Sequence, residues 1–244
     1  MTPRTLDDLG VPGALYLWTL LQAHRYRLAL APTEELAVEV LEVLAQHGVV
    51  ALTRTGTPPE PGFQFTPMEG LAWRWTWSAY TPDNAMLASE DFLASVRSDQ
   101  LVQGLCLSLW ERLVLAEGQA FYRHQLARSH FDVRWQQDMG FAQRFSQAPL
   151  NAAQWRYCAW AAVRYGASVV CQRSLPATEV RESMYRELAR RASALASGRY
   201  GRCALPPSAD APPSALARGL ACQWLDLRSS YWTEVPNLEA IRRR

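Results

Sequence analysis

The sequence predicts a mainly α fold with a small antiparallel sheet, on two observations. After residue 80, apolar residues recur at three- and four-residue steps in nearly every segment long enough to show a period. Alternation with period two is confined to short stretches before that point, the clearest carrying Trp73, Trp75 and Trp77 at every second position.

Taken in order, residues 9–24 read as a helix. Pro12 suits its first turn, and Leu15, Trp18, Leu21 and Gln22 line a mainly apolar face. Residues 26–30 alternate and predict a short strand. A second helix opens at Thr33 as N-cap, repeats Leu36, Val40, Val43, Leu44 and His47 on one face, and closes at Gly48. Strands are predicted at 49–53, 62–66 and 71–77, with a loop at Pro58, Pro59 and Pro61 between the first two. Helices follow at 84–96 and 99–128. The longer one has a predicted buried stripe of Val102, Leu105, Leu109, Leu113, Ala116 and Ala120, with Arg112, Arg123 and Arg128 off it. A helix at 133–146 comes next. Another is capped near Asn151, where small residues around Trp155, Ala159, Ala162, Val163 and Gly166 permit close approach. The next covers 176–196. Glycine, serine and paired prolines make 197–213 a mobile loop, and a last helix covers 214–227.

The order helix, helix ending in glycine, strand, loop and strand over residues 9–80 resembles part of a winged helix-turn-helix domain. Residues 1–80 are therefore expected to form a winged-helix-like α+β portion, and 81–244 a helical bundle, the two being separate or continuous. The resemblance places the 33–47 helix where a recognition helix lies. Its polar face carries Glu34, Glu35, Glu39 and Glu42 and no arginine. Four carboxylates facing phosphates would oppose DNA binding, so that face is assigned to a protein partner or to a solvated surface.

All 25 basic residues are arginine, isoleucine occurs only at Ile241, and asparagine only at Asn84, Asn151 and Asn237. Joint depletion of lysine, isoleucine and asparagine points to GC-rich bacterial coding. It does not by itself point to selection for guanidinium. The net charge of +2 is far from that of a dedicated nucleic-acid binder, yet it is unevenly spread: −3 over residues 1–80, −2 over 81–150 and +7 over 151–244. The N-terminus lacks the pattern of a signal peptide, and no apolar run approaches a membrane span. A cytoplasmic protein that does not engage a membrane is expected. The five cysteines, Cys106, Cys158, Cys171, Cys203 and Cys222, have no metal-ligand spacing and read as reduced thiols.

Residue types that do chemistry occur without the spacings that chemistry needs. The histidines His24, His47, His124 and His130 form no helical ligand pair, so no metal is assigned. There is no nucleophile elbow. Cys171 lies near Arg173 but has no histidine beside it in sequence, and Glu111 and Glu117 point to different helix faces. No catalytic residue and no cofactor are assigned. The densest feature is Arg181, Arg186, Arg190, Arg191, Arg199 and Arg202, interleaved with Tyr185 and Tyr200. Glu179, Glu182 and Glu187 sit at spacings that pair with these arginines, while residues 197–202 form a weak anion-binding pattern.

The reading that follows is a non-catalytic protein-binding protein, such as an immunity protein or antitoxin. Its partner would be a protein, such as a toxin encoded next door. The expected partner-binding residues are Glu34, Glu35, Glu39 and Glu42 on one side and Arg186, Arg190, Arg199 and Arg202 on the other. The alternatives are a winged-helix DNA-associated regulator or phage-defence component, and an enzyme acting on a phosphorylated or nucleotide substrate.

Overall fold

A computed structural model describes residues 5–54, 64–65, 71–138, 141–145, 148–172, 175–201 and 203–243. The chain is mainly α with one small antiparallel sheet, in the order α1 (Leu6–Tyr26), α2 (Glu34–Gln46), β1 (Val50–Arg54), β2 (Gln64–Phe65), β3 (Leu71–Trp75), α3 (Pro82–Val96) and α4 (Gln100–Arg128). Then come α5 (Trp135–Asp138), α6 (Phe141–Phe145), α7 (Ala152–Gln172), α8 (Ala177–Ala196), α9 (Ala215–Arg218), α10 (Ser230–Thr233) and α11 (Leu238–Arg242). It divides into two compact units. The first comprises residues 1–106, 213–226 and 241–244, and the second 107–212 and 227–240.

The first unit is built on α1. A capping box between Thr5 and Asp8 starts it, and Gly10, at φ 67°, breaks the helical path two residues before Pro12. The regular helix thus begins where proline is tolerated, and its apolar residues from Ala14 to Leu21 are buried. α3 packs against α1, Thr81 accepting from the Asn84 N–H at its N-cap and Trp18 Nε1 donating to Glu90 at 2.8 Å. Through that packing α3 belongs to the first unit. Residues 27–33 form no strand, contrary to the alternation there. Arg27, at φ 53°, ends α1 in a left-handed cap. The carbonyls of Ala29 and Leu30 then receive the N–H groups of Ala215 and Leu216 at 2.8 and 3.0 Å. A segment nearly two hundred residues away in sequence therefore takes the place of a strand partner.

α2 buries Leu36, Ala37, Val40, Leu41 and Leu44. Thr33 has the extended backbone of an N-cap, but its side chain accepts no hydrogen bond. The sheet runs β1-β3-β2, fully antiparallel, with Leu52 opposite Trp73 and Val50 opposite Trp75. The tryptophans belong largely to the core. Trp73 and Trp77 are buried, and half-buried Trp75 shares its indole N–H between the carbonyls of Trp77 and Tyr80. The helix–helix–strands order is present, but residues 27–33 supply no middle helix of a three-helix core. The C-terminal helix expected at 214–227 is present only as α9, continued by a π-helical stretch from Gly219 to Trp224.

The second unit holds the remainder of α4, then α5 to α8 and α10. Along the whole of α4, Val102, Leu109, Leu113 and Ala116 are buried as predicted, whereas Leu105 is exposed and Ala120 half-buried. The predicted 133–146 helix is represented by two short pieces, α5 and α6. Asn151 caps α7 reciprocally: its Oδ1 accepts from the Gln154 N–H and its own N–H donates to the Gln154 side chain. The small-residue face of α7 meets α8 where Gly166 lies against Met184. The 197–213 segment is a loop, but a fastened one. Leu205 N–H donates to the Ala153 carbonyl at 2.8 Å, and Arg156 donates to the Ala211 carbonyl.

Candidate functional site

Glu187 is the organising residue of the arginine-rich surface. It lies on the inner side of α8, its side chain 9% exposed. Arg190 Nε and Nη2 donate to its two oxygens at 2.7 Å each, and Arg191 Nε donates to Oε1 at 2.6 Å. The spacings are i,i+3 and i,i+4. Burial alone would raise the Glu187 carboxyl, but hydrogen bonds from both arginines outweigh it and hold it below the ordinary 4.5. A carboxyl depressed in this way contributes stability above its ordinary value and loses it as the pH falls through the lowered one.

Two tyrosines complete the arrangement. Arg190 Nη1 donates to Tyr200 Oη at 2.6 Å and Arg191 Nη1 to Tyr157 Oη at 2.7 Å. The Arg191 guanidinium also lies 5.2 Å from the Tyr200 ring centre and 5.8 Å from that of Tyr157. On α7 the same surface continues through Trp160, whose ring meets Tyr157 at 6.0 Å, to exposed Arg164, 5.2 Å from the Trp160 ring. On the other flank, Arg144 of α6 lies 4.6 Å from the Tyr185 ring. Arginine and aromatic side chains thus lie against one another across α7, α8 and the segment after α8, with Arg144 and Tyr185 a separate pair between α6 and α8, all within the second unit. That unit carries fifteen arginines against ten acids, a net +5, whereas the first is −3.

The predicted basic residues fare differently. Arg190 is at the centre of this surface. Arg186 is exposed, with Nε 3.4 Å from the Glu182 carbonyl, and Arg199 is exposed with Nε on Ser197 Oγ. Arg202 lies outside the described residues, as does Arg173. Arg191, which helical phase turns away from Arg186 and Arg190, joins Arg190 on the same glutamate. The contributions of Tyr157, Trp160 and Arg164 were missed. Their signal was there, at i, i+3 and i+7 along α7.

The acidic residues lie on the first unit. Glu34, Glu35 and Glu42 are exposed on α2, while Glu39 is half-buried and accepts from Tyr16 Oη at 2.8 Å. That hydrogen bond fixes α2 against α1, so Glu39 has a structural partner which the expected solvent-facing row did not include.

A second polar cluster is wholly internal. Arg156 of α7 is 2% exposed, with Glu117 of α4 at 3.8 Å from Nη1 and the Phe121 ring at 4.2 Å. Both terminal nitrogens donate to the Ala211 carbonyl at 3.3 Å, and Nε has no hydrogen-bond partner. Burial pushes the guanidinium pKa down, and the Glu117 charge offsets only part of that. Beside it, Tyr231 is fully buried, its hydroxyl pushed upward by burial and by the Glu117 charge. The Tyr231 hydroxyl and the indole N–H of Trp110, which stacks on it at 6.3 Å, also lack partners. Trp110, Glu117 and Phe121 share one face of α4 at helical spacing, the signal by which Glu117 was recoverable.

All five cysteines are free. Cys106 and Cys158 are buried with thiols pushed up to about 12 by burial, while Cys171 and Cys222 are exposed. Among the described residues, no three histidine, cysteine, aspartate or glutamate side chains gather to hold a metal ion. None of the described helices is long and apolar enough to cross a membrane. No family model matches the chain, and no characterised protein or solved structure is similar enough to stand as a relative.

Proposed function

We propose that the chain is a non-catalytic protein-binding protein of the cytoplasm, which acts by covering a partner as an immunity protein or antitoxin does. The observation that carries this reading is the arginine–aromatic surface centred on Glu187. Arginine, tyrosine and tryptophan are the residues that dominate interface energetics. Arg190 and Arg191 are already held in place by Glu187, Tyr200 and Tyr157, so binding freezes less side-chain freedom. The exposed glutamates of α2 extend the charge asymmetry to the first unit and favour partner selection through complementary charge. They also count against groove reading of DNA by α2.

The test is co-expression with the products of adjacent reading frames, followed by size-exclusion chromatography. A stable complex with one of them is expected. Failure of every neighbour to associate at micromolar concentrations would contradict the proposal.

A further inference from the structure

A guanidinium carries five N–H groups. Arg190 spends one on each Glu187 oxygen and one on Tyr200. One N–H on each terminal nitrogen is left over, on a side chain 52% exposed. Two N–H groups are thus left to meet acceptor oxygens, on a planar guanidinium that Glu187 holds in place, and carboxylate oxygens are the acceptors that such donors bind most strongly. Arg191 is fixed by Glu187 and Tyr157 and is 27% exposed, and exposed Arg186 and Arg199 flank the pair in sequence.

The aromatic rings decide between two anionic partners. Nonspecific binding of single-stranded nucleic acid needs ring faces open for bases to stack. Here guanidinium groups lie by those rings: Arg190 and Arg191 by Tyr200, Arg191 by Tyr157, and Arg164 by Trp160. The rings serve as platforms for arginine. Exposed Glu179 and Glu182 on the same helix interrupt any continuous track for a phosphate backbone.

We infer that the Arg190–Arg191 surface of α7 and α8 is a carboxylate-reading site, and that the partner presents it an acidic polypeptide segment. This rests on the protein-binding reading above and specifies the chemistry of the partner.

The test uses the full chain and fluorescence anisotropy with three labelled probes of similar length: a glutamate-rich peptide, the same peptide with glutamine in place of glutamate, and a thymidine oligonucleotide. The glutamate peptide is expected to bind, the glutamine peptide not to, and the oligonucleotide to bind more weakly than the first. Arg190→Lys keeps the charge but loses the planar fork, and should weaken peptide binding about tenfold. Tyr200→Phe keeps the charge and the Glu187 contacts, and should weaken it by a smaller factor. Circular dichroism and melting of each variant report whether the helices persist. No binding of the glutamate peptide, equal binding by Arg190→Lys and the parent chain, or tighter binding of the oligonucleotide would each overturn the inference. A partner complex that forms undiminished with Arg190→Lys would remove this site while leaving the protein-binding proposal standing. Absence of any partner complex would remove that proposal instead.

Discussion

Glu187 and Arg156 are both charged residues on inner helix faces, and their surroundings give them different consequences. Glu187 has both oxygens bonded by two guanidinium groups that reach the surface, so hydrogen bonds outweigh its burial and order that surface. Arg156 is enclosed on all sides, 3.8 Å from its carboxylate and with one N–H unmet. A buried pair of this kind is strongly destabilising when broken on one side, because the remaining buried charge loses its counter-charge. Arg156→Met should therefore cost about 3–5 kcal/mol, read as a lowered urea midpoint. Adding Glu117→Leu should recover much of that loss, and losses that simply add would show that the two residues are not coupled.

At the scale of elements, the helices of the second unit are positioned by close approaches as well as by apolar faces. Gly118 of α4 lies so near α7 that a Cβ there would stand 2.6 Å from the Cβ of Trp155, an atom that cannot move without its backbone. Gly118→Ala should destabilise the protein by about 1–3 kcal/mol through overpacking, although alanine is the better helix former. Unchanged thermal stability would show that α4 and α7 can separate at little cost. Helix identity was legible in the chain because its signals are local: the Asn151–Gln154 cap, the Gly48 stop and the period of α4 all lie within a few residues of what they control. The reading failed where a distant segment intervened. Alternation at 26–30 implied a strand, but Ala29 and Leu30 bond to the start of α9. Glycine and proline marked 197–213 as a loop, which it is, but not that Leu205 would bond to Ala153 and Ala211 to Arg156. Leu105 fits the helical period of the buried stripe, yet it is exposed because α4 is not covered evenly along its length.

At the scale of the whole molecule, the charge asymmetry read from the sequence persists as two units of opposite net charge. The candidate site was legible in part. The density of arginine after residue 180 marked the region, and helical spacing anticipated its pairing with glutamate. The convergence of Arg190 and Arg191 on one buried carboxylate could not be read from phase alone. Helical spacing marks Tyr157, Trp160 and Arg164 as one face of α7, but that this face meets Arg191 of α8 depends on how the two helices pack. On the function proposed above, this surface engages a protein partner through charge. The most direct measurement is the association rate of the chain with its partner, followed against ionic strength for the parent protein and for the combined variant Arg186→Glu, Arg190→Glu, Arg199→Glu. The rate should fall steeply with added salt and drop about tenfold or more in the variant at low ionic strength. A rate insensitive to salt and unchanged by the reversal of those charges would contradict it.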